Sequence, residues 1–209
     1  KVLSLTDGGT VDLSGLSSSS GASSLNGLTD VLVEDSSIYL GNNPSSTTST
    51  AQYNIAVGTT ALDAITTGDE NVSVGYNALT ANTTGRNNIA VGTDALSKNT
   101  TGVDNVAIGD SAMADNTTGS NNTAIGNWAL DTNTTGWNNV AVGLDALSSN
   151  TTASYNTTVG FQSMATNSTG DKNTAMGYQS FALNTTGANN TAVGYWALVN
   201  NTTASNNTA

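Results

Sequence analysis

The chain has 209 residues, with 4 Lys and Arg against 15 Asp and Glu, a net charge of −11. A surface of that sign repels phosphate, which argues against a nucleic-acid partner. The absence of Cys and His removes disulfides, thiolates, the commonest metal ligand and the commonest general base.

No apolar run approaches the roughly 20 residues that cross a bilayer, so membrane insertion is not expected. The chain starts at Lys1 rather than at an initiator Met, so it reads as a fragment or a processed product. Residues 1–16 place Val2, Leu3 and Leu5 before Asp7-Gly8-Gly9, and Val11 and Leu13 after it, which predicts a short β-hairpin. Residues 17–27 are rich in Ser and Gly and read as a linker. Residues 28–52 hold a strand from Leu28 to Val33, then Ser37-Ile38-Tyr39-Leu40-Gly41 as a degenerate first coil, with Pro44 just beyond. Such a segment is expected to cap a stack of repeats.

From Tyr53 to Ala209 the chain repeats without insertion or deletion. The unit is seen cleanly in residues 88–104, and its glycine recurs every 17 residues from Gly41 to Gly194. Columns are named below by the residue they hold in that coil. The Ile89 column is Ile, Val or Thr, the Ala90 column is mostly Ala, and the Val91 column is Val, Ile or Met. These three residues predict a short strand whose side chains alternate between two faces. The Asn88 column is Asn in every coil, which predicts a stacked amide ladder. The Leu96 column carries Leu, Met or Phe, the large apolar residue of each coil. Asn99-Thr100-Thr101-Gly102 and its copies predict a corner, because Asn and Gly tolerate left-handed backbone.

Two glycines per coil and paired Thr argue against a helix, and the period sustains no heptad pattern. The expected fold is all-β, a parallel β-solenoid (β-roll or β-helix) of 17-residue coils. At about 4.8 Å per coil, ten coils would make a rod about 48 Å long. So thin a roll has little interior. Copies are therefore expected to associate, intertwined or side by side as a homotrimer, with the Ala90 column near the contact.

The stretch Asn190-Thr191-Ala192-Val193-Gly194-Tyr195, with Ala197-Leu198 and the Asn-Thr-Thr-Gly corners, resembles the repeats of bacteriophage and prophage tail fibres. It is also similar to the left-handed β-roll repeats of trimeric autotransporter adhesin heads, whose unit is shorter. The resemblance covers residues 36–209, and Asp30 to Gly41 resembles a segment that precedes such repeats in marine phage structural proteins. It implies a trimeric, elongated fibre, on a virion tail or at a cell surface, that serves host attachment. Fibres of this kind often end in a self-cleaving chaperone domain, and nothing like one is expected in these residues.

No catalytic constellation, cofactor site or metal site is expected. Asp69-Glu70 reads as a solvated corner rather than a glycosidase pair. The remaining Asp residues fall in scattered columns, without the ligand spacing of a calcium-binding roll. Asn-x-Thr triplets such as those at Asn82, Asn116 and Asn133 match the glycosylation acceptor but follow from the corner sequence. The variable pair after each repeat glycine carries aromatic residues. Trp128, Trp196, Tyr178 and Tyr195 are the candidate receptor contacts, for sugar rings of a cell-surface glycan or for a neighbouring copy of the chain. Three alternatives stand beside the fibre shaft: a self-assembling extracellular filament, a glycan-reading rod, and an ice-binding solenoid suggested by the stacked Thr columns.

Overall fold

A three-residue β-branched segment is long enough to form one strand but has no partner within its own coil. Here each finds its partners in the coils before and after. The computed structural model describes residues 2–4, 10–12, 31–34, 36–41 and 50–209. The Asp7-Gly8-Gly9 turn, the Ser- and Gly-rich stretch 17–27 and Pro44 lie outside the described residues. Strand β1 (Val2–Ser4) pairs antiparallel with β2 (Thr10–Asp12) in a small sheet of its own.

The main sheet has 11 strands. Its first two, β3 (Val31–Glu34) and β4 (Ser37–Leu40), pair antiparallel. The rest follow as β5 (Ile55–Val57), β6 (Val72–Val74), β7 (Ile89–Val91), β8 (Val106–Ile108) and β9 (Thr123–Ile125). They continue as β10 (Val140–Val142), β11 (Thr157–Val159), β12 (Thr174–Met176) and β13 (Thr191–Val193). From β4 onward every neighbour is parallel and in unshifted register, as in Ala90↔Ala107 and Val91↔Ile108. The chain is therefore a parallel β-solenoid of about nine 17-residue coils. Strands β4 to β13 span about 43 Å at the usual inter-strand spacing.

The interior is narrower than the apolar pattern suggests. The Ala90 column points inward and is buried from Ala56 to Ala192, opposite the buried Ala95 and Leu96 columns. The larger Ile89 and Val91 columns point outward, and Ile55, Ile89, Ile108, Ile125, Val159, Met176 and Val193 are exposed. This corrects the expectation that the Ala column lies at a contact between copies. A methyl group is what fits between the sheet and the Leu96 column, so the strand turns its small residue in and its β-branched residues out. Where the inward column is not Ala, the hydroxyl is paired: Ser73 Oγ donates to Ala78 O at 2.7 Å and Thr158 Oγ1 to Val140 O at 3.2 Å. Tyr39, in register with Ala56, places a whole ring in the buried column at the first coil.

Two amide ladders line the interior. In the Asn88 column the Nδ2 donates to the Oδ1 one coil earlier from Asn71 to Asn139 and again at Asn190 and Asn207, as Asn88 to Asn71 and Asn105 to Asn88, both at 3.1 Å. The second ladder runs through the Asn99 column, with Asn116 Nδ2 donating to Asn99 Oδ1 at 2.9 Å. Both meet on the carbonyl of the Gly102 column: Gly119 O accepts from Asn105 Nδ2 at 2.9 Å and from Asn116 Nδ2 at 3.0 Å. The Asn-Thr-Thr-Gly corner is thus not left-handed at its Asn or Gly. Glycine relieves a close approach at this corner, because a Cβ on Gly102 would lie 2.3 Å from Asn99 Oδ1 and 2.4 Å from Gly119 O. The left-handed residues are elsewhere, in the Asp94, Leu96 and Asp104 columns, where Leu96 has φ +51°.

Candidate functional site

The solenoid offers three surfaces: the outward sheet face and the two corners that flank it. The sheet face carries the Ile89 and Val91 columns as two ranks of Ile, Val, Thr and Met, with no charged residue in either. Alternate residues of a strand share a face, so the ranks stand about 7 Å apart. Among the described residues the hydroxyls of Thr123, Thr157, Thr174 and Thr191 have no protein hydrogen-bond partner. By contrast, the Thr100 column spends its hydroxyls inside the stack, as Thr100 Oγ1 donating to Thr117 O at 3.1 Å. The neighbouring Thr101 column is exposed. The two adjacent Thr columns are therefore not equivalent ranks of one plane.

The first corner follows the Gly92 column and holds all four candidate receptor residues. Tyr178 and Tyr195 belong to the Thr93 column and stack on each other and on Phe161, with ring centroids 5.2 Å apart for Phe161–Tyr178 and 5.3 Å for Tyr178–Tyr195. Trp196, in the Asp94 column, tilts against Tyr195 at 4.7 Å, and its Nε1 donates to Gln179 Oε1 at 2.8 Å. Gln179 Nε2 in turn donates to Gln162 Oε1 at 2.8 Å. The structure therefore joins Tyr178, Tyr195 and Trp196 in one ladder. Tyr178 stacks between Phe161 and Tyr195, one on each side. Trp128 stands apart, exposed, at φ +55° and without an aromatic partner among the described residues.

The second corner, the Val103 and Asp104 columns just before the sheet, holds a pair that the column-by-column reading did not single out. Trp137 and Tyr155 pack edge to face, centroids 4.7 Å apart and planes at 62°. Their separation in sequence is one coil plus one residue, which puts them in neighbouring columns of successive coils.

The acidic groups are spread over both corners, and Asp63, Asp115 and Asp131 lie on the turn beyond the first. Burial, then the neighbouring carboxylate of Asp115, pushes Asp131 up to about 6, and Lys98 only partly offsets them. Lys98 Nζ reaches Asp115 Oδ1 at 2.7 Å in an exposed ion pair. Among the described residues no acidic group is arranged to hold a metal ion. Asn82, Asn116 and Asn133 are fully buried, with their amides committed to the inner ladder, so a glycosylating enzyme has no access to them in the folded coil. Among the described residues no helix is long and apolar enough to cross a membrane.

No known protein family, curated protein or solved structure matches the chain.

Proposed function

We propose that the chain is a structural shaft of an attachment fibre, of the kind found in phage tail fibres and bacterial surface adhesins, in which copies lie side by side as a homotrimer. The outward sheet face carries this reading. It is an uncharged strip about 43 Å long and about 10 Å wide, a footprint of about 430 Å². Uncharged and rich in exposed Ile, Val and Met, with four Thr in the Ile89 column, the strip supports a contact surface. Two facing copies bury roughly twice that, and the flanking corners extend it toward the ~1,000 Å² of a specific interface.

A rigid frame with variable corners also suits a shaft that displays side chains at fixed intervals. The repeat resemblance supports the same reading, and with it a proposed location outside the cell or on a virion. Light scattering with negative-stain imaging tests it. Rods of three chains are the expected result. A monodisperse monomer across the micromolar range would sink the proposal.

A further inference from the structure

We infer that the corner formed by Trp137 and Tyr155 is a binding subsite for a neutral pyranose oligosaccharide. The inference goes beyond the shaft reading and does not depend on the number of chains in the rod. Four observations lead to it.

The first is conformational. The Asp104 column is left-handed in every coil, and Asn holds it at Asn87, Asn121, Asn138, Asn189 and Asn206. Asn tolerates that backbone, whereas a bulky ring there is strained. Tyr155 sits in the column at φ +62° and stays 45% exposed, and Tyr53, in the same column at φ +60°, is 60% exposed, so the coil holds rings at this corner without enclosing them.

The second is positional. Trp137, 47% exposed, meets Tyr155 edge to face. That geometry commits only one ring face of the pair to the contact, unlike the stacked ladder at the other corner. Sugars bind aromatic side chains through the C–H groups on one face of the ring, and a free aromatic face is what such a contact needs.

The third is rigidity. Tyr155 N donates to Trp137 O at 3.1 Å. Trp137 N donates to Ser154 Oγ at 3.2 Å, and Ser154 N donates to Asp171 Oδ1 at 2.7 Å. Three successive coils are thus tied together under the rings, so the platform is set before a ligand arrives.

The fourth is polarity. Asp171 and Lys172, both exposed, present a carboxylate and an ammonium one coil beyond Tyr155. They lie about 5–10 Å along the rod from the rings, a distance that one or two sugar units span. Their charges cancel locally, while the whole chain carries −11. A polyanionic glycan would be repelled, so the ligand class is neutral.

The chain has 3 Trp, so the double variant W128F/W196F leaves Trp137 as the sole indole fluorophore. That protein would be titrated with neutral oligomers of galactose, mannose and N-acetylglucosamine, and with a sulfated oligosaccharide. The expected result is a saturable shift in Trp137 emission with at least one neutral oligomer and none with the sulfated one. Tyr155→Asn restores the residue usual in its column, so the coil keeps its fold, and affinity should fall by about tenfold or more. No saturable shift with any neutral oligomer, equal affinity in Tyr155→Asn, or preference for the sulfated ligand would each overturn the proposal. So would emission that follows protein concentration instead of sugar, because the pair would then be a contact between copies. Light scattering on the same samples reads the assembly state separately.

Discussion

At the scale of single residues, the coil is held by positions where one atom too many does not fit. A Cβ on Gly109 would come 2.6 Å from the carbonyl carbon of Gly126, at φ +137°. Gly109→Ala is expected to lower stability by about 2–3 kcal/mol in a denaturant titration. Asp131 shows the opposite kind of constraint, a charge that the fold disfavours. Its folded pKa of about 6 lies above the ordinary 3.8, so its contribution is favourable while it is protonated and is lost as pH rises through about 6. Asp131→Asn should therefore raise stability at about pH 7.5 and change nothing at about pH 3. The gain expected is about 1 kcal/mol, because the group is only half-buried and solvent screens it. Equal effects at both pH values would show that burial and the carboxylates around Asp131 are not the cause.

At the scale of the element, the coil that holds Ala153 departs from its neighbours for a visible reason. Ala51, Ala153 and Ala204 stand where the other coils have the glycine of the Gly102 column, and of these Ala153 lies in the middle of the regular stack. At Gly85, Gly102, Gly119, Gly136, Gly170 and Gly187 a Cβ would crowd both the Asn99-column Oδ1 and the next coil's carbonyl. At Ala153 both neighbours show the effect. The Asn167 to Asn150 ladder bond lengthens to 3.3 Å, and Gly170 O accepts from Asn167 Nδ2 but not from Asn156 Nδ2. Asn156 Nδ2 is left buried without a partner. Ala153→Gly should restore that bond. An unpaired buried donor costs about 1–3 kcal/mol, and the added glycine costs about 0.4–1 kcal/mol in the unfolded chain. A net gain of about 1 kcal/mol is expected, with slower amide exchange at Asn156 and Thr157. Unchanged exchange there would mean that the methyl is not what opens the ladder.

At the scale of the whole molecule, the outward face decides whether one chain is the working unit. Replacing Ile108 and Ile125 together by Asp puts two charges on the strip and leaves the buried columns untouched. The expected outcome is dissociation of the assembled rod, with β-sheet circular dichroism retained. Burying an unpaired carboxylate costs far more than the side-chain contacts it replaces. Persistence of the assembly would move the contact to a corner. Ala107→Asp serves as the contrast, because that column faces the interior and the coil itself should unfold.

Much of this architecture was legible in the sequence because a solenoid writes its period directly. An unbroken 17-residue spacing forces equivalent residues into columns, and Asn at the same place in every coil forces an amide ladder. Three features were not legible. The alternation Ile89-Ala90-Val91 says that two faces exist but not which is inside. The small face is inside because the Leu96 column already fills the lumen, and that requires knowing the width of the coil. Nor does a Leu column advertise left-handed backbone. Burial holds Leu96 at φ +51° against its own preference, an effect of the closed coil and not of the residue. The Asn-Thr-Thr-Gly composition points to left-handed backbone, whereas its glycine serves a close approach between coils. The sequence alone thus determined the period, the strand positions and the stacking register, since each is a property of the repeat. Only the tertiary structure decided the inside, the outside and the meeting of Trp137 with Tyr155, since each depends on how far apart the walls of one coil stand and what the next coil places beside them.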